Sequence, residues 1–170
     1  MNSFTIRTAQ CSDVPLLEDV ENSAIQAFYV LPGFVPMGGA LPQDLLHEIC
    51  DNGQLWVATG ADDKPVGFIA ASDVDDLLYI EEMSVALEFQ KNGIGRDLMN
   101  TLIDYAIAAK YMGIGLTTRR DAAWNMPFYK KLGFTETADD LLPVQLLKII
   151  QDERRSSVNP AVRCAMIKTL

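Results

Sequence analysis

The stretch Gln90-Lys91-Asn92-Gly93-Ile94-Gly95-Arg96 gathers the groups that handle an anion: two glycines, two basic side chains and two amides. It follows an apolar, strand-like run and opens directly onto Ile94, Leu98, Met99, Leu102, Ile103, Ala106 and Ile107, which recur at helical spacing. Arg96, Asp97, Asn100, Thr101 and Asp104 fall on the opposite face, giving a helix with one buried side. The first N–H groups of such a helix have no intrahelical partner and lie at the positive end of its dipole, so they can receive a phosphate. Gly93 and Gly95 let the anion approach the backbone, and Gln90, Lys91 and Arg96 add side-chain donors. An ordinary strand-to-helix turn, with glycines that only satisfy geometry, is equally open from these residues alone. The turn lacks the Gly-Lys-Ser/Thr ending of a Walker loop and the three spaced glycines of a dinucleotide fingerprint.

A second cluster follows downstream, Asn125-Met126-Pro127-Phe128-Tyr129-Lys130-Lys131-Leu132-Gly133-Phe134. Together the two segments resemble the acyl-CoA N-acyltransferase (GNAT) superfamily, in motif order and separation. The Pro127-Phe128-Tyr129 and Gly133-Phe134 pair is similar to the serotonin (arylalkylamine) N-acetyltransferase type. The resemblance implies an acetyl-CoA-dependent N-acetyltransferase in which a primary amine of a small molecule or peptide attacks directly in a ternary complex. Under it, Lys91, Asn92, Gly93, Ile94, Gly95 and Arg96 receive the pyrophosphate. The backbone at Met83 and Val85 pairs with the pantetheine arm, and a bulge frees an N–H near Met83 for the thioester carbonyl.

An alkyl ammonium titrates near ~10.4, so the acceptor must lose a proton before attack. Glu81 and Glu82 are adjacent carboxylates in an apolar strand, and simple alternation sends them to opposite faces. Glu81 aligns with a histidine that lines the acceptor site in the serotonin type and is the first choice of base; Glu82 replaces it if a bulge shifts the phase. Both can equally be strand carboxylates that pair with cations or face water. The resemblance makes Tyr129 the acid for the departing thiolate, and a phenol is protonated at neutral pH. Its alternative is a core aromatic. Asn125 matches a residue that touches the CoA arm and would also serve as an N-cap. Trp124 either walls the cleft or packs in the core.

Alternatives are a CoA-binding regulatory domain without turnover, transfer from another acyl-CoA, and a hydroxyl acceptor. Composition narrows the field. A net charge of −9 argues against nucleic-acid binding and favours a cationic acceptor. Cys11, Cys50 and Cys164 lack metal or redox spacing and lie outside both motifs, so an acyl-cysteine is disfavoured and a reducing, cytoplasmic setting is expected. His47 is the only histidine, which leaves no multi-histidine metal site, and Asp139 and Asp140 read as a solvated loop. No apolar run reaches the ~20 residues of a membrane span, and no leader-like pattern opens the chain. A homodimer is an open arrangement.

The elements that must position these residues follow from periodicity. Phe4 to Ala9 is a strand, and Ser12 or Asp13 with Pro15 starts a helix through Leu16, Leu17, Val20, Ala24 and Phe28. Leu31 to Pro42 is a Pro/Gly-rich loop of functional length, and Leu45, Leu46 and Ile49 suggest a short helix. Leu55 to Thr59, Val66 to Ala71 and Leu77 to Leu87 form consecutive antiparallel strands joined by polar turns. Gly115 to Thr118, Phe134 to Thr137 and Val162 to Thr169 are strands, and Asn125 to Leu132 and Pro143 to Arg154 are helices. The order β-α-α-β-β-β-α-β-α-β-α-β predicts one α+β domain over residues 1–170, with a mixed, mostly antiparallel sheet flanked by helices.

Overall fold

A computed structural model describes residues 4–36 and 38–170. Its strands are β1 (Thr5–Thr8), β2 (Leu55–Thr59), β3 (Pro65–Val74), β4 (Leu77–Val85), β5 (Gly113–Arg119), β6 (Thr135–Thr137) and β7 (Arg163–Thr169). The helices are α1 (Val14–Ala24), α2 (Gln43–Asp51), α3 (Ile94–Ala108), α4 (Asn125–Lys131) and α5 (Val144–Ser156). This is the predicted order. The differences are local: α1 tightens into a 3₁₀ turn at Ile25–Phe28, and β4 stops at Val85. Asp13 precedes α1, but its carboxylate holds Arg7 in a two-pronged pair at 2.7 and 3.0 Å instead of capping the helix.

The seven strands form one sheet in the order β1-β2-β3-β4-β5-β7-β6, antiparallel except between β4 and β5. Two irregularities of β4 shape the molecule. Opposite β3, Ala70 pairs with Glu82 and Ala71 with Ile80, which leaves Glu81 as an unpaired bulge residue. Against β5, β4 pairs only from Leu77 to Tyr79, whereas β5 runs on to Arg119 beside β7. Beyond Tyr79 and Gly115 the sheet therefore splits into two wings with an open wedge between them.

The bulge also resets side-chain direction. Leu78 and Ile80 point to the face covered by α3 and α4, and after the bulge Met83 and Val85 return to it. Glu82 pairs with Ala70, and Ser84 with Phe68, whose side chains pack in the opposite layer under α1 and α2. Ser72 Oγ donates to the Glu81 carboxylate and Ser84 Oγ to that of Glu82 at 2.8 Å. Simple alternation is thus overturned. Both carboxylates lie on the α1 side of β4, because the inserted residue consumes one step of the pleat. A third apolar layer, Val74, Leu77, Tyr79, Leu142, Leu146 and Ile150, seats α5 on that same side of the sheet.

Candidate active site

The open edge of β4 can be read from its ladder. Ala86 N–H donates to Val66 O at 2.9 Å, flanking the Gly67–Val85 pair. That pattern makes Val85, and Met83 two residues earlier, non-hydrogen-bonded positions toward β3, so their amide groups point away from β3 into the wedge. Val85 O is taken by the Gln90 side-chain amide at 3.0 Å. Gln90 therefore braces the turn against β4, a different use from the anion donor expected of it. Asn92 does likewise, donating to Phe89 O and Gln90 O at 3.1 and 3.3 Å.

Directly beyond this brace, α3 begins. Its N-cap is Gly93 at φ +90°, a backbone conformation that side-chain-bearing residues rarely adopt, and no side chain caps the helix. The first return bond is Asp97 N–H to Gly93 O at 3.1 Å, so the amides of Ile94, Gly95 and Arg96 remain available to an anion. A Cβ on Gly95 would lie about 4 Å from Phe128, Met83 and Val85, so β4, α3 and α4 converge on this helix start.

Tyr129 approaches from α4, packed edge-on against Phe128 and Phe134 with centroids at 5.2 and 5.9 Å. Gly133, at φ +90°, ends α4 and turns the chain so that Phe134 N–H reaches Tyr129 O at 3.1 Å. That is the physical work of the Gly-Phe pair. The Tyr129 hydroxyl has no hydrogen-bond partner among the described residues, and burial, with the nearby Glu82 charge, pushes it above the ordinary phenol range. Tyr129 belongs to the α3 side of the sheet and Glu82 to the α1 side, so they meet through the wedge.

Burial raises Glu82, opposed by the Ser84 hydroxyl and the Met83 amide; burial raises Glu81 too, opposed by Ser72. Two participants were missed in the sequence. Glu21 on α1 is pushed up to about 7, mainly by burial and then by the Glu82 charge. Its Oε2 accepts Leu41 N–H at 3.0 Å, fastening the end of the 31–42 loop to α1. Its position one step from Val20 and four from Leu17, on the border of the apolar stripe, was the available signal. Arg163, at the start of β7, grips Glu153 of α5 at 2.6 and 3.1 Å and donates to Thr117 Oγ1 at 3.0 Å. Thr117 donates to Glu153 at 2.7 Å and lies 3.2 Å from the Tyr79 hydroxyl.

An aromatic clasp crosses the mouth of the wedge. Phe28 stacks on Phe34 at 5.6 Å and meets Trp124 at 5.4 Å, and the Arg119 guanidinium sits 5.1 Å over Phe34. Trp124 is thus 41 % exposed at the cleft and not a core residue. Asn125 is the first residue of α4, not its cap, and its amide donates to Thr118 Oγ1 at 3.1 Å. His47 sits half-buried on α2, away from these groups, and Asp139 pairs with Arg154 at 2.5 Å.

The model of the acetyltransferase (GNAT) family matches residues 36–134, which include the bulged strand, the turn, α3 and α4. The chain belongs to the acetyltransferase (GNAT) family. A probable N-acetyltransferase camello from Xenopus tropicalis is 34 % identical over 102 residues, 57 % of this chain and 45 % of that protein. The match spans a little under half the length of such curated relatives. An acetyltransferase of the GNAT family from Staphylococcus aureus Mu50 has a TM-score of 0.76 at 17 % identity, covering 99 % of both chains. The PaiA N-acetyltransferase of Thermoplasma acidophilum, solved in complex with coenzyme A, has a TM-score of 0.73 at 16 % identity, again over 99 % of both. At such identities these two likenesses speak for the GNAT fold, which this chain shares throughout. No described helix is long and apolar enough to cross a membrane.

Proposed function

We propose that the chain is an acetyl-CoA-dependent N-acetyltransferase that acetylates a primary amine by direct attack in a ternary complex. The observation that carries this is the wedge: the Met83 amide points into it, with the uncapped start of α3 on one side and Glu82 with Tyr129 across it. The residues present fit the donor. The amides of Ile94, Gly95 and Arg96 would hold a pyrophosphate, with no Cβ at Gly93 or Gly95 in its way, and the exposed edge of β4 would pair with a peptide-like arm. When bound, acetyl-CoA supplies an activated acyl group.

The chain's own residues supply the rest. Met83 N–H donates to the acyl oxygen as negative charge develops on it, an effect worth ~10²–10³ in rate for one such donor. Glu82 takes a proton from the ammonium, directly or through water, and the lone pair so freed then forms the N–C bond. Tyr129 gives its proton to the sulfur as the C–S bond breaks. Glu82 is placed better than Glu81 for the base, because its carboxyl lies against the Met83 amide and faces Tyr129, whereas Glu81 is held by Ser72. The elevated Glu82 pKa brings it closer to that of the amine it must deprotonate. The cysteines stay outside this chemistry.

Calorimetric titration with acetyl-CoA, followed by thiol release with an amine panel, tests the proposal. Binding that Gly93→Glu abolishes, with amine-dependent thiol release, is the expected result. Absence of binding overturns it, and binding without turnover for any acceptor favours a regulatory CoA-binding domain.

A further inference from the structure

The N-acetyltransferase reading leaves the acceptor open, and the charges around the wedge narrow it. Two cations line the acceptor side, and each is matched by a carboxylate: Arg163 by Glu153 at 2.6 and 3.1 Å, and Arg119 by Asp121 at 2.7 and 3.0 Å. Three carboxylates there accept hydrogen bonds only from neutral donors among the described residues: Glu21 from Leu41 N–H, Glu81 from Ser72, and Glu82 from Ser84 and the Met83 amide, with the paired Arg163 acting on Glu82 only through its charge. Glu18 on α1 adds further negative charge toward Glu21. Facing this group, the half-buried Tyr129 has no hydrogen-bond partner for its hydroxyl among the described residues, and on the remaining wall the Tyr79 hydroxyl meets that of Thr117, which donates to Glu153.

We infer that the acceptor is a primary amine with no carboxylate on the carbon beside its nitrogen, and that Glu21 is a specificity-determining residue that reads its ammonium from the α1 side. This rests on the N-acetyltransferase reading above. An ammonium entering here meets a local excess of negative charge, with Glu82 as base below and Glu21 beside it. A zwitterionic amino acid brings its own carboxylate to the same walls, where both arginines are already engaged, and like charges in a partly desolvated cleft cost enough to block binding. An amine, an amino-acid amide or a peptide N-terminus escapes that repulsion. The position of Glu21 adds a second consequence. Because Glu21 also holds Leu41 N–H, and Ser23 Oγ holds Leu87 N–H at 3.0 Å, acceptor contact on α1 is tied to the 31–42 loop and to the end of β4.

The test uses matched triplets, an amino acid, its amide and its decarboxylated amine, with acetyl-CoA and thiol release as readout. The expected result is kcat/KM at least tenfold lower for the amino acid than for its amide. In Glu21→Gln the amine KM rises about tenfold while that for acetyl-CoA is unchanged. The variation of the amine KM with pH near 7 is lost, and Glu21→Asp recovers part of the binding. Equal use of amino acid and amide, or an unaltered amine KM in Glu21→Gln, overturns the inference while leaving the acetyltransferase intact. Failure to acetylate any member of the panel, by contrast, overturns the reading on which it rests and the inference with it.

Discussion

Replacing Glu21 by Gln should stabilise the protein in a pH-dependent manner, and the sign follows from its surroundings. The ordinary value of this carboxyl is 4.5 and the folded value about 7, raised by burial and by Glu82. Between those values the folded state binds more protons than the unfolded one, so Glu21 lowers stability as pH rises through the window. Above pH 7 the full penalty is present, and below 4.5 it is gone. A displacement of that size corresponds to at most about 3 kcal/mol. Screening at a half-buried site reduces the realistic figure to about 1–2 kcal/mol. Glutamine keeps an oxygen for Leu41 N–H and never ionises, so it removes the penalty and leaves the hydrogen bond. At pH 8.5 thermal unfolding of Glu21→Gln should lie about 2–8 °C above the parent, and at pH 5 the two should nearly coincide. Glu81 and Glu82 act in the same direction, which is why the comparison is between variant and parent at each pH. An identical difference at both pH values, or a variant less stable at pH 8.5, would refute the argument, since the first means that folding leaves the Glu21 pKa unchanged and the second that its ionised form is stabilised in the fold.

Tyr129→Phe should lower kcat at least tenfold with little change in acetyl-CoA affinity, measured by steady-state kinetics and calorimetry; undiminished kcat returns Tyr129 to a packing role. Glu82→Gln should abolish the limb of the pH–rate profile that rises with pH through the elevated carboxyl, whereas Glu81→Gln should keep it; the reverse outcome moves the base to the bulge residue. Gly113→Ala should destabilise by about 1–3 kcal/mol, because the added methyl would stand 2.7 Å from Lys168 O across the β5–β7 ladder. Urea titration reads that loss directly, and an unchanged midpoint would mean that β7 gives way at no cost.

What the sequence could show is what local periodicity encodes. The apolar spacing of Ile94 to Ala106 matches the buried stripe of α3, with only Ile107 falling outside it at 58 % exposure. The hairpin strands and the place of the Gly93 turn were equally legible, because each depends on residues adjacent in the chain. The bulge was not. It is a difference in register between Ala70–Ala71 and Ile80–Glu82, and no residue type within β4 announces it. Alternation therefore separated two carboxylates that the fold places together. Long-range pairings were hidden for the same reason: Glu21 with Leu41, Arg163 with Glu153, and Phe28 with Trp124 join residues that no local pattern connects.

The bulge also explains why one strand can serve both halves of the proposed reaction. The groups proposed for the donor lie on the α3 face and those proposed for the acceptor on the α1 face, so in this reading transfer occurs through the sheet, where β4 and β5 part. Glu82 and Met83 share one peptide unit at that gap. The base projects to one side while the amide that steadies the acyl oxygen points into the opening, and planar peptide geometry fixes the relation between them. A shift of β4 would then move base and amide together, preserving their mutual geometry while changing their distance from Tyr129 on α4. Deleting Glu81 would leave Glu82 and Met83 on their present faces. Without the inserted residue, Ile80, Glu82 and Met83 would follow ordinary pleat alternation, so the loss would be the second carboxylate on the α1 side and the ladder irregularity opposite Ala70 and Ala71. The unpaired residue is thus what allows β4 to place two successive carboxylates on the α1 face while Leu78, Ile80, Met83 and Val85 keep to the α3 face.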